Sequence, residues 1–198
     1  MNKKLSFTID DARLVKEDPD SSFSLLSLDF FASGDNLHDL YVSEDTLIRT
    51  ADTIKNRPIV WKYDSVMQDA KTHSSDEVPC GVIPESAEIV SRRLDDGRVM
   101  LSTISYVWKR YSGKILEFFK RDGEKPISVE ITVLDQITND KGKEELLDYK
   151  FEAVTVLGNL IRPAIPLAHA TVLQFAKEYN DDYNREFSNK YADRKSVV

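Results

Sequence analysis

The sequence predicts a mainly β fold of the α+β class, a largely antiparallel β-barrel or sheet flanked by helices. Strand-like stretches outnumber helical ones, and most of them meet through short turns rather than crossover helices. The stretch 126–133, Pro-Ile-Ser-Val-Glu-Ile-Thr-Val, shows the pattern most clearly. β-branched residues crowd it, and the two-residue period puts Ile127, Val129, Ile131 and Val133 on one face, with Ser128, Glu130 and Thr132 on the other. Proline cannot donate to a strand ladder, so Pro126 marks the start of this strand.

A chain of 198 residues suits one domain with a sizeable core, and a hydrophobic share of 41% with a charged share of 31% describes an ordinary globular protein. The net charge of −7 argues against nucleic acid as a partner, because phosphate binding needs a basic footprint. Cys80 is the single cysteine, which excludes an internal disulfide and fits a reducing compartment. Lys3 and Lys4 are followed by an alternating stretch that soon reaches Asp10 and Asp11, so neither a signal peptide nor a membrane span is expected, and a cytoplasmic setting is.

In chain order, residues 1–22 read as an N-terminal arm or edge strand, with 5–9 alternating and a turn cluster at 18–22. Residues 23–31, large and apolar with serines between, read as a buried strand. Ser43 followed by Glu44 and Asp45 is a helix start, and Leu47, Ile48, Ala51 and Ile54 follow at helical spacing until Pro58 forbids more. Residues 58–63 form a strand, 64–80 a polar loop, 87–93 a short strand, 95–98 a hairpin turn and 99–104 the returning strand. From 107 to 119, Trp108, Tyr111, Ile115, Phe118 and Phe119 mark one face of a helix. Residues 139–143 turn the Ser128 strand into an antiparallel strand over 149–157, and 163–166 is an extended exit segment. A charged helix over 174–198 carries Phe175, Tyr179, Tyr183, Phe187 and Tyr191 every four residues, a stripe that drifts slowly round its surface.

Three candidate chemistries centre on His73, which stands in the polar loop, where functional side chains are commonly presented. One is metal binding by His73, Asp76, Glu77 and Cys80, although no second half of a ligand motif exists elsewhere. Another is Cys80 as a thiol nucleophile activated by His73, against burial of Cys80 as a small hydrophobe. The third is Ser128 as nucleophile with His73 as general base, because a hydroxyl on a stiff strand is held in a fixed direction. The acid that orients the histidine should then come from the strand beside Ser128, which supplies Glu152 and Asp148, and Arg162 just beyond it is a candidate for oxyanion stabilisation. No residue pattern indicates a nucleotide, a flavin or a metal cofactor.

The order of parts carries more than any one of them. A Pro-Ile-Val strand leads to the His73 loop, then Val-Pro-Cys-Gly-Val-Ile-Pro, a Trp-bearing helix, Ile-Ser-Val-Glu-Ile, Phe-Glu-Ala-Val-Thr-Val-Leu-Gly and Arg-Pro-Ala-Ile-Pro. In that order the chain resembles the tailed-phage prohead maturation proteases, above all the serine proteases attributed to Bacillus defective prophages, which share a fold with the herpesvirus assemblins. The resemblance spans roughly 23–173 and rests on His73 with Gly81 eight residues later, the Ser128-Val129-Glu130 strand and the Pro163-Ala-x-Pro166 exit. It implies a protease-like domain over 23–173 and a closed or nearly closed antiparallel barrel surrounded by helices. It also implies a serine endopeptidase that cleaves scaffold and capsid-protein segments inside the immature head, in the cytoplasm of the bacterial host. By motif Ser128 becomes the nucleophile, His73 the general base and Glu152 the third member, with Asp148 in reserve. Arg162 holds about the place of an assemblin arginine that fixes a water at the oxyanion hole, but the assemblins' double arginine is absent here. Capsid and scaffold proteins are the implied partners, with a second copy of the chain as a further one and neither nucleic acid nor membrane. The alternative is an inactive structural or scaffold-binding module of the head with the same fold.

Overall fold

Seven strands close into a barrel in this computed structural model, which describes residues 22–37, 40–165 and 167–174. β1 (Phe23–Ala32) buries alternate residues, Ser24, Leu26, Leu28 and Phe30, because that face lines the barrel. Short β2 (Gly34–Asp35) and β3 (Leu40–Val42) follow. α1 (Glu44–Thr50) starts where expected, with the Ser43 hydroxyl accepting from the Thr46 N–H at 3.1 Å. It tightens into a 3-10 turn at Ala51–Ile54 and buries Leu47 and Ile54, whereas Ile48 faces solvent.

β4 (Pro58–Trp61) precedes a small ribbon of β5 (Tyr63–Asp64) and β6 (Asp69–Ala70), and β7 (Val78–Val82) comes next. The supposed loop over 64–80 therefore holds three strand segments. Pro79 inside β7 hides the strand in the sequence, and it stands beside a register shift in the β4 ladder, where a missing donor costs little. Gly81 is required here, since a Cβ would lie 2.3 Å from the Tyr106 carbonyl oxygen across the ladder.

β8 (Val90–Arg93) and β9 (Val99–Trp108) form the expected hairpin. β9 runs past Ile104 into residues read as helix, and α2 (Gly113–Asp122) starts only after Ser112. The buried face of β9 continues through Thr103, Ser105 and Val107, and those two hydroxyls bond the carbonyls of Glu88 and Leu26. Their polarity masks the alternation in the sequence. Ile115, Leu116, Phe118 and Phe119 are the buried face of α2, while Tyr111 is exposed.

β10 (Glu124–Thr138) is longer than expected, and Pro126 stands third in it rather than first. Residues Glu124 to Pro126 pair with β12 (His169–Gln174), and from Ile127 the strand pairs with β11 (Glu144–Val156). The proline thus sits where the ladder changes partner. β12 is a further strand beyond those expected from the sequence. Round the barrel the order is β10, β12, β1, β9, β7, β4, β11 and back to β10, antiparallel throughout except β4 beside β11. Closure removes the open edges that sheets otherwise expose. Inside, Phe30, Phe31, Tyr149 and Phe151 pack edge to face, with centroids 5.4 to 5.7 Å apart. The arm expected over 1–22 and the helix expected over 174–198 lie outside the described residues, save Ser22 and Gln174.

Candidate functional site

Ile127 is fully buried and Val129 packs on the core, so Ser128 and Glu130 between and beyond them face outward from the barrel wall. Across the ladder Ser128 pairs with Thr155. Side chains directly opposite in an antiparallel pair have Cβ atoms about 4.5–5.5 Å apart, so these two hydroxyls share one patch. The loop between β6 and β7 drops His73 onto it. His73 Nδ1 lies 3.2 Å from Thr155 Oγ1, 3.4 Å from Glu130 Oε1 and 3.6 Å from Glu77 Oε1. Thr155 Oγ1 in turn donates to Glu130 Oε1 at 3.0 Å.

This donor order assigns the ring proton. With its hydrogen given to Glu130, the Thr155 hydroxyl accepts from the imidazole in the tautomer protonated on Nδ1, which leaves Nε2 as the basic nitrogen. Thr155 is fully buried, while Ser128 is half-buried and His73 is exposed. An incoming group meets Ser128 and the histidine, not Thr155. Behind the ring, Glu77 is anchored by the Ser74 N–H at 3.1 Å. Burial pushes the Glu77 carboxyl above its ordinary value, and the charge of Glu130 adds to this, outweighing the Ser74 N–H and His73, which pull the other way.

The structure brings Ser128 and His73 to the same patch, yet the hydrogen bond of His73 goes to Thr155 rather than Ser128. Glu152 does not join them. A bulge-free ladder continued from the Ile131–Phe151 pair would set Glu152 opposite Glu130, but a bulge there sets Ala153 opposite Glu130 instead. Glu152 instead accepts from Thr132 at 2.8 Å and pairs with Lys150 at 3.0 Å and Arg57 at 3.3 Å, contacts that hold its carboxyl below the ordinary value. Asp148 is taken by Arg49 at 3.1 Å. The carboxylates that reach the histidine are therefore Glu130 and Glu77. Glu130 was legible, since the two-residue period puts it on the face of Ser128; Thr155 depends on a register that the bulge shifts.

Arg162 is exposed and lines an open cleft with Lys125, Pro126, Asn159 and His169. Pro126 lies two residues before Ser128 on the same strand, but Ser128 does not line this cleft. The other readings of the His73 loop change. Cys80 points into the core, 1% exposed, and burial pushes its thiol up to about 12, which leaves no thiolate for nucleophilic attack. Asp76 pairs with Lys62 at 2.5 Å, so of the metal set His73, Asp76, Glu77 and Cys80 only His73 and Glu77 remain together.

Fold and site define a closed-barrel β domain with a hydroxyl, an imidazole and two carboxylates grouped on its outer wall. The chain matches the model of the YonD N-terminal domain over residues 22–193 and belongs to that family. YonD is a Bacillus prophage protein, which links the chain to proteins of Bacillus-type prophages. No curated protein and no solved structure matches the chain. Among the described residues no helix is long and apolar enough to cross a membrane.

Proposed function

We propose that this chain is a serine endopeptidase of phage head maturation, with Ser128 as nucleophile, His73 as general base and Glu130 in place of Glu152 as the orienting carboxylate. The observation that carries this reading is the His73–Thr155–Glu130 chain of contacts beside Ser128, which engages Nδ1 and so assigns the base role to Nε2. In the reaction Ser128 Oγ attacks the scissile carbonyl carbon and its proton passes to Nε2. The imidazolium is stabilised by Glu130 and Glu77, then returns the proton to the leaving amine. Water repeats the sequence to release the acyl group from Ser128. In this reading Arg162 is the cation assigned to the oxyanion, through a water, and each such donor is worth about 3 kcal/mol. Substrates are capsid and scaffold segments, met inside the immature head in the host cytoplasm.

The second reading is an inactive module of the head with the same fold, and the hydrogen bond of His73 to Thr155 rather than Ser128 favours it. Co-expression with the neighbouring capsid and scaffold proteins, read by mass spectrometry, separates the two. Fragments that vanish with Ser128→Ala support the protease. Heads that assemble with no cleavage by the native chain support the module.

A further inference from the structure

We propose that His73, Glu77 and Glu130 form a binding site for one borderline divalent cation, zinc first, on the barrel wall. One ligand atom from each lies within 4.8 Å of the other two. The closest approaches are nearer, with His73 Nδ1 at 3.4 Å from Glu130 Oε1 and at 3.6 Å from Glu77 Oε1. With zinc bonds of about 2.0–2.1 Å to nitrogen and oxygen, the edge of a coordination tetrahedron is about 3.4 Å. Two of the three donor separations thus match the edge of one coordination tetrahedron, and the third lies within 4.8 Å. One imidazole and two carboxylates make a mixed nitrogen and oxygen set that suits zinc better than magnesium or calcium. Three protein ligands leave a fourth position open to water.

A second observation points the same way. The Glu77 side chain is 10% exposed, and among the described residues neither Glu77 nor Glu130 pairs with a lysine or arginine. Other partly buried acids of this protein do have such partners: Asp69 and Asp122 hold Lys125 and Arg121, and Asp29 holds Arg92. Two carboxylates facing one imidazole are short of positive charge, and a divalent ion supplies it. Glu77 is also preset, since the Ser74 N–H fixes its Oε1 and leaves lone pairs on both oxygens.

Zinc at Nδ1 displaces the proton assigned there, and a neutral metal-bound imidazole carries its proton on Nε2 instead. Nε2 then has no lone pair to take a proton from Ser128. The consequence, which rests on the protease reading, is that zinc holds the enzyme inactive until the ion is withdrawn. The binding itself does not rest on that reading.

Zinc is titrated into the untagged full chain against a chromogenic chelator. The expected result is one ion per chain, weakened at least about tenfold by Glu130→Gln and by Glu77→Gln, and lost in His73→Ala. Ser128→Ala and His169→Gln bind as the native chain does. A rise in melting temperature with zinc in the native chain, absent in a Glu130→Gln chain of native circular dichroism, guards against misfolding as the cause. No saturable binding, or binding that Glu130→Gln leaves intact and His169→Gln removes, overturns the site. Binding of manganese in preference to zinc overturns the assignment of the ion. Zinc binding in a chain that cleaves nothing even after the ion is withdrawn by a chelator would keep this site while refuting the protease.

Discussion

Two places in this molecule gather a pair of carboxylates round one basic nitrogen, and they differ in charge and in exposure. At the foot of β10, Lys125 is fully buried and bonds Asp69, Asp122 at 2.8 Å and Asn159 at 3.0 Å, while Arg121 lies 2.6 Å from Asp122 and 3.4 Å from Asp69. Two cations meet two anions, every group is bonded, and the cluster pins the ribbon of β5 and β6 to the barrel. At the His73 patch the count is one imidazole against two carboxylates, His73 and Glu130 are more than two-fifths exposed, and no lysine or arginine among the described residues joins them. A balanced cluster round a buried lysine is built to hold structure; an unbalanced, half-open one keeps capacity for a proton or an ion.

Breaking the first cluster gives the largest expected effect. Lys125→Met strands Asp69 and Asp122 beside one arginine, and urea unfolding should show a loss of about 3–5 kcal/mol, the usual cost of removing one partner from a buried pair. A loss under about 1 kcal/mol would show that the cluster does not pin the ribbon to the barrel.

Acid provides a second way to open it. The bond from Arg121 chiefly, with Lys125, holds Asp122 well below the usual carboxylate range. Burial pushes Asp69 up, but bonds from Lys125 and from the N–H groups of Asn159 and Ala70 outweigh it and leave it lowered. Both folded-state values lie below the ordinary 3.8, so the stability they contribute is full above that pH and falls as pH drops through and below it. Urea midpoints measured from pH 7 to pH 3 should fall, and the fall should be shallower in Lys125→Met.

At the His73 patch the expectation reverses. Glu130→Gln removes one of two crowded carboxylates, so stability should change by no more than about 0.5 kcal/mol, while the reactivity of Ser128 toward a serine-directed fluorophosphonate falls about tenfold or more. A large stability loss with unchanged reactivity would make this patch structural too. The smallest effect is expected at Glu152, where Glu152→Gln should leave that reactivity within about twofold, since its partners are Thr132, Lys150 and Arg57.

Much of this was legible in the letters, and the misses have physical causes. The β10–β11 hairpin, the Ser43 cap and the outward face shared by Ser128 and Glu130 follow from period and turn chemistry. The β11 neighbour of Ser128 did not, because a ladder counted back from Thr138–Glu144 without bulges puts Val154, not Thr155, opposite Ser128 and Glu152 opposite Glu130. Register shifts move that pairing by one residue, and one residue exchanges the faces of a strand. β9 was cut short and α2 begun early because Thr103 and Ser105 occupy core-facing positions, where apolar residues would have shown the strand continuing. Glu77 is four residues from His73 in a loop, where no period predicts its direction.

The most direct test of the central claim is labelling of the native chain with a fluorophosphonate, followed by mass spectrometry of the modified peptide. A bond from phosphorus to Ser128 Oγ is expected, with fluoride released, and labelling slowed about 100-fold or more in a folded His73→Ala chain. Labelling of Ser128 that is indifferent to His73, or no labelling of the folded native chain, would contradict it.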